Sequence, residues 1–519
     1  MNIRLSSSRP YIIAVDIGTT STKTLVIDRD GQIKASHSIG YPLHTPRPDI
    51  AEQDPNTIFQ AVVDAIGAVV QIADLSGSDV LCVSFSSAMH SLIAIDQHGM
   101  PLTNCITWAD NRSAAQSQRL RTELDGHSIY LATGTPIHPM SPLPKLMWLR
   151  ENEPALFART YKFIGIKEYV FAKLFNRYVI DYSLASATGL FNLRNLAWHE
   201  PSLELAGVSA EQLSEPVSTT YRLEGMNPQY AVAMGLWLDT PFVVGASDGV
   251  LANLGAGAVD PGVYNVTIGT SGAIRGVVRK PLTDPKGRLF CYALDENFWV
   301  VGGAINNGGI MFRWVRDELA TLEAEEGRRQ GRDPYDYLTE LASSVPAGSD
   351  GLLFLPLLAG ERAPYYDSNA RGVFFGLSLA HHKKQMIRAV LEGVVYRIHS
   401  IVQALSELNG EPHEIRASGG FARSPLWRQI MADVLGTPVS VPNTIESSGL
   451  GAAILGLYAM GEIPDYNAIH DWVTTSSQHE VNADHFAIYQ ELTPIYQRVY
   501  HQLKHEFRDI AAFQQRHAK

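Results

Sequence analysis

The chain has 519 residues, with 42 Lys and Arg against 53 Asp and Glu and a formal net charge of −11. At roughly 150 residues per domain it holds two or three domains; the negative charge, with no basic block, argues against a nucleic-acid partner, and 45% hydrophobic against 18% charged residues excludes a disordered chain. Cys82, Cys105 and Cys291 lack metal or disulfide spacing, the apolar run before Asp16 is too short for a signal-peptide core, and no stretch reaches about 18 uninterrupted apolar residues, so the expectation is a cytoplasmic protein without a membrane partner.

In chain order, YIIAV, DIGTTSTK and TLVIDRDGQI read as strand, small-residue turn, strand and a second turn at Asp30-Gly31, which is a β-hairpin. Residues 58–73 carry apolar side chains at helical spacing, while VLCVSFSS and FVVGAS read as strands. The hairpin pattern returns at 263–280, and both copies share the phrase V-x-I-G-T, so the chain reads as duplicated. Later come candidate helices at 381–408 and 424–436, and a charged stretch at 323–336 expected to be a solvated loop or helix end. Alternating strands and helices with a strand-rich opening to each half predict two α/β domains with a cleft between them.

Several segments carry chemistry. In DIGTTSTK the glycine allows a tight turn, and Thr19, Thr20 and Ser21 add hydroxyls to backbone N–H groups at a tip suited to phosphate oxygens. Lys23 adds a positive charge, and Asp16 at a strand end is placed to hold water around Mg²⁺; an ordinary polar turn is the alternative. Gly269 and Thr270 offer the same equipment, and two such tips would clamp a triphosphate. Ala273 stands where a nucleophile elbow needs its second glycine, and no P-loop or complete GxGxxG occurs. Asp248 follows a strand and precedes a helical run, which suits either a helix N-cap or a general base at a strand's carboxyl end. The pair Gly419-Gly420 enters a helix; it either lets a flat ring approach the backbone above an anion-favouring helix start or is a plain strand-to-helix turn. Residues 302–309 expose further backbone ahead of another helical run.

The segments DIGTTSTK, MSPLPKLMWLREN, GASDG, IGTSG, GERAPYYDSNARGVFFGL and SGGFARSPLW, in this order, closely resemble the FGGY carbohydrate kinases over about Tyr11 to Gly461. The resemblance implies an α/β fold of two duplicated ribonuclease H-like (actin-like ATPase) domains flanking a catalytic cleft. Residues 11–257 would form the sugar-binding domain with the first phosphate hairpin and the base, 258–465 the nucleotide-binding domain, and 466–519 a helical extension. It implies ATP and Mg²⁺, with Asp248 as base, Asp16 holding Mg²⁺ through water, and Thr19, Thr20, Ser21 and Lys23 on the phosphates. On the nucleotide side it implies Gly269 and Thr270 in the second hairpin, Gly309 and Arg313 at a helix entry, and Gly419, Gly420 and Ser424 at the adenosine. Met89, His90, Trp108, Asp110, Arg112 and Met140 would form the sugar site, Met140 standing where some members have an aromatic.

The glycerol pattern of the family, an Arg-Glu pair with that aromatic, is absent. The wording of SSAMHSLIAID, TWADNRS and GTPIHPMSPLPKL is most similar to family members that phosphorylate gluconate, which implies gluconate and ATP giving 6-phosphogluconate and ADP. Met-His is shared with members acting on xylulose, so a pentulose is the alternative substrate; a noncatalytic nucleotide-dependent interaction protein on the actin-like fold is the alternative of another class. A sugar acid's carboxylate calls for charge-assisted donors, and Arg112, His90 and His138 are the candidates, a structural role for Arg112 and His138 standing equally open. Whether the chain forms a homodimer stays open.

Overall fold

In the computed structural model, which describes residues 9–444 and 446–517, the strand Tyr11–Ile17 buries Ile12, Ile13, Ala14, Val15 and Ile17. Such a continuous apolar run is the mark of a strand covered on both faces. It pairs antiparallel with Ser21–Asp28, which pairs antiparallel with Ile33–Gly40, and it pairs parallel with Val80–Ser87, itself parallel to Phe242–Ser247. Arg222–Leu223 closes the far edge of this six-stranded sheet. The hairpin and both later strands lie where their sequence patterns predict them.

The chain divides into two compact units. The first comprises the chain up to Val259 with Val277–Val300 and Glu446–Thr474, and the second Asp260–Gly276, Val301 to residue 444, and Thr475 onward. One face of the first sheet is covered by the helix Pro55–Ile72, which opens with Asp54 accepting from the Asn56 amide and a proline at its first turn, a common helix start. Among the described residues it is the one helix with the length and hydropathy of a membrane span. Ile58, Val62, Ile66 and Val69 bury it in the same core cluster as Val26 and Val83.

The other face receives Ser447–Ala459, a helix far along the chain that packs on Tyr11–Ile17 and Val80–Ser87. It also packs closely on Asp248–Gly255. A Cβ on Gly255 would fall 1.8 Å from Ser447 O, and one on Gly451 2.0 Å from Leu251 O; only glycines let these two backbones approach so far. That approach is why Glu446–Thr474 belongs with the first unit.

The second unit repeats the plan. Val263–Ile268 pairs antiparallel with Gly272–Val278 and parallel with Glu414–Ser418, which is parallel to Val439–Pro442. The duplicated V-x-I-G-T phrase thus marks two copies of one topology, a hairpin followed by parallel strands, as in ribonuclease H-like domains. The edge strand Thr475–His479 pairs with Val439–Pro442, so the segment beyond residue 466 supplies a strand as well as the helix Ala483–His517. The helices predicted at 381–408 and 424–436 are Lys383–Asn409 and Pro425–Leu435. The charged stretch 323–336 is a helix end and loop, as expected: it runs from the end of the helix Thr321–Arg329 through a turn into the start of Pro334–Ser343, a helix begun by Asp333 accepting from the Tyr335 amide at 2.7 Å.

Candidate active site

Three parallel strands of the first unit end side by side. Ile17 stands opposite Ser87, and Ser87 opposite Ser247, so Gly18, Ala88 and Asp248 follow directly from neighbouring strand ends. Open α/β sheets gather their ligands at such ends. The Ala88 amide donates to Ile17 O at 2.8 Å, which draws the Met89-His90 segment against the first hairpin tip.

That tip is a closed turn. Gly18 N donates to Ser21 O at 3.0 Å, the Tyr41 hydroxyl donates to Gly18 O at 2.6 Å, and Gln53 Nε2 donates to Thr19 O at 2.7 Å. The Trp108 indole N–H donates to Thr19 Oγ1 at 2.8 Å. Gly18, Thr19, Gln53, Met89, Thr107 and Trp108 line one small pocket, which joins residues expected at the phosphates to residues expected at the sugar. Thr20 is exposed and Ser21 half-buried.

Asp16 lies one residue before the strand end, with Ser86 Oγ donating to its Oδ1 at 2.7 Å. Burial raises its pKa, and the nearby charge of Glu446 raises it further, against the lowering effects of Ser86 and Lys23. Lys23 Nζ pairs with Glu446 Oε1 at 2.5 Å, so its charge is shared with a carboxylate 423 residues away. Mg²⁺ keeps several waters and takes one or two carboxylates beside phosphate oxygens. The Asp16 carboxylate with Glu446 nearby fits such a hydrated ion, while no cluster of three or more His, Cys, Asp or Glu side chains that could cage a metal occurs among the described residues.

His90 takes a left-handed backbone, φ 68°, a conformation that costs a non-glycine residue energy and persists only where its surroundings hold it. Its ring Nδ1 lies 2.7 Å from Ala187 O; a carbonyl only accepts, so Nδ1 carries the proton. Its own carbonyl accepts from Lys145 Nζ at 2.7 Å, and the same ammonium donates to Thr107 O at 2.8 Å. Lys145 is fully buried, and burial pushes its pKa down to about 7. The reading of the sequence missed this residue, although a lysine inside the apolar run PLPKLMW is the signal that could have found it. Met140 is buried, and its amide donates to His138 Nδ1 at 3.2 Å.

Two residues expected at the sugar, Asp110 and Arg112, have partners within the protein. Asp110 is wholly buried and accepts from the Ala51 amide at 2.8 Å and from Arg112 Nε at 2.9 Å. Arg112 pairs with both Asp110 and Glu52, and its guanidinium lies 5.2 Å from the Trp148 ring centroid. A guanidinium neutralised by two carboxylates is a poor reader of a third, so Asp110 and Arg112 brace the loop that carries Trp108.

For Asp248 the two readings separate. The helix Asp248–Gly255 is capped by Ser247, whose Oγ accepts from Val250 N at 3.4 Å. Asp248 is the first helical residue, half-buried, with Oδ1 accepting from the Gly249 amide at 2.6 Å. The capping role falls to its neighbour.

In the second unit the paired Ile268 and Gly272 enclose a three-residue tip, against four residues between Ile17 and Thr22 in the first. Gly269 N donates to Ser271 O at 2.9 Å, Gly309 N to Gly269 O at 2.6 Å and Ile310 N to Thr270 O at 3.1 Å. A Cβ on Gly309 would sit 2.6 Å from Gly269 O, and one on Gly419, whose φ is +85°, 2.7 Å from Ile268 O. Tip, helix entry and double-glycine turn are therefore packed backbone to backbone, leaving Gly269, Thr270, Arg313, Gly419 and Gly420 exposed. Ser424 caps Pro425–Leu435, its Oγ accepting from Trp427 N at 3.2 Å.

Comparison with known proteins accords with this geometry. The N-terminal domain of the FGGY family of carbohydrate kinases matches residues 11–255, and its C-terminal domain residues 264–460. A gluconokinase of Bacillus subtilis is 50% identical over 505 residues, 97% of this chain and 98% of the relative. Two crystal structures from Lactobacillus acidophilus are each 36% identical and cover 96% of this chain and 99% of their own. A gluconate kinase superposes with a TM-score of 0.91 and a ligand-bound xylulose kinase with 0.92.

Proposed function

The chain belongs to the FGGY family of carbohydrate kinases, and from that premise we propose that it transfers the terminal phosphoryl group of ATP to gluconate, giving 6-phosphogluconate and ADP. The observation that carries the reading is the row of strand ends at Ile17, Ser87 and Ser247: it assembles a hydroxyl-bearing tip, the Met89-His90 segment and an acidic side chain within one unit. Asp248 takes the proton of the attacking primary hydroxyl, the role of a general base. The sugar lies against Met89, His90 and Trp108, and Thr19 bonds Trp108, so sugar positioning and phosphate positioning share one hydroxyl. Thr19, Thr20 and Ser21 on one tip and Thr270 on the other donate to phosphate oxygens, where a positioned donor stabilises developing charge, while the Gly269 amide, bonded to Ser271 O, keeps the second tip closed. Gly309, Arg313, Gly419, Gly420 and Ser424 receive the nucleotide. Asp16, with Glu446 nearby, would hold Mg²⁺ through the ion's water shell, and the ion would supply positive charge to neutralise the phosphates.

Gluconate is preferred to xylulose because the gluconokinase of Bacillus subtilis shares 50% of its residues with this chain and a xylulose kinase of the same organism 28%. The free, buried thiols suit a cytoplasmic enzyme. The test is coupled ADP release across gluconate, xylulose, ribulose and glycerol. Gluconate is expected to stand far above the rest, and a preference for xylulose would overturn the substrate while leaving the kinase.

A further inference from the structure

Behind Asp248 lies a buried polar chain that the reaction as described does not use. The short helix Tyr182–Ser186 is started by Asp181, whose Oδ1 accepts from Leu184 N at 2.9 Å. Its other oxygen lies 2.7 Å from Lys167 Nζ, with both side chains almost wholly buried. Lys167 Nζ also donates to Ala246 O at 3.2 Å. Ser183, two residues on, donates from its Oγ to Ser247 Oγ at 2.9 Å and accepts from Ser247 N at 3.1 Å. Ser183 and Lys167 therefore grip the two residues before Asp248, and Ser247 is the cap of the helix Asp248 begins.

We propose that Ser183 and the Lys167–Asp181 ion pair are positioning residues for Asp248, fixing the turn from Ala246 to Asp248 so that its carboxylate is held in one orientation toward the substrate. This rests on the reading of Asp248 as the base. A buried ion pair is an expensive way to stabilise a fold, since apolar residues of similar volume often do as well. This pair is spent on the backbone at a strand end where chemistry is expected. Glu168 and Asp248 lie within electrostatic reach of Lys167, beyond its partner Asp181. The same segment reaches the other side of the pocket, because Ala187 O is the acceptor for the His90 ring. One stretch, residues 181–187, thus orients both the base-bearing helix and the strained histidine.

The experiment is a double-mutant cycle in the full-length enzyme. Ser183→Ala and the paired change Lys167→Met with Asp181→Asn, which removes both members of the ion pair together, are each made alone and in an Asp248→Asn background. Both are expected to lower kcat about tenfold, as small misplacements of a reacting group do, with KM for gluconate within about threefold. Ser183→Thr, which keeps the hydroxyl, is expected to restore most of the loss. In the Asp248→Asn background neither change should cost anything further, because the group they position is gone. Wild-type kcat in Ser183→Ala and in the paired variant, or a loss undiminished by Asp248→Asn, overturns the positioning role while the base stands. Near-normal turnover in Asp248→Asn alone overturns the base, and the positioning role with it.

Discussion

Lys145 Nζ and the carbonyl oxygen of His90 lie 2.7 Å apart, and that bond holds His90 in its left-handed backbone. Lys145→Met removes the donor and leaves the His90 and Thr107 carbonyls buried without it, at a cost of about 1–3 kcal/mol for each group left unsatisfied. Activity on gluconate and xylulose should fall together, since the whole segment shifts. The pH dependence has a definite sign. Folding lowers the Lys145 pKa from 10.5 to about 7, so between those values the unfolded chain binds more protons and stability rises with pH, by at most about 1.4 kcal/mol per unit. Below about pH 7 both states hold the proton and the contribution is flat. Denaturant titrations from pH 6 to 9 should show this rise in the native protein and not in Lys145→Met.

Asp248→Asn should lower turnover by roughly 10²–10⁴, the usual contribution of a general base, with an unchanged melting temperature. Ser247 keeps the helix cap, so the fold has no reason to respond. Near-normal turnover in the folded variant would remove Asp248 from the reaction.

Thr19→Ala and Thr270→Ala should behave differently despite their matching positions in the two hairpins. Thr19 Oγ1 accepts from the Trp108 indole, so its loss should weaken gluconate binding by about 0.5–1.5 kcal/mol in addition to slowing phosphoryl transfer. Thr270 is exposed in the second unit, and its loss should act on ATP alone. Calorimetric titration with gluconate in the absence of nucleotide separates the two; equal sugar affinities would show that the Trp108 bond does not matter to the sugar.

Arg112→Ala should lower stability by about 3 kcal/mol, because it strands Asp110 and Glu52 in the manner of a broken buried pair. Activity should fall to the same degree on gluconate and on xylulose. A loss confined to gluconate would show that Arg112 does read the carboxylate.

Much of this was legible in the amino-acid order. Val80–Ser87 and Phe242–Ser247 announce themselves by the apolar residues they open on, VLCV and FVV, and the repeated V-x-I-G-T phrase marks both hairpins, because a strand's burial and a turn's need for glycine are local demands on local residues. The residue types of the site were legible for the same reason: hydroxyls beside glycine at a tip, an acid after a strand. What the order of residues left open was which polar group each side chain would meet. Asp248 was fit either to cap its helix or to act as a base, and the structure gives the cap to Ser247. Arg112 had the chemistry to read a carboxylate, and packing supplied two from the protein itself. Lys23 finds Glu446 only because Gly255 and Gly451 let two helices meet backbone to backbone. Charge partners are chosen by distance in space, and that distance exists only once the core has closed.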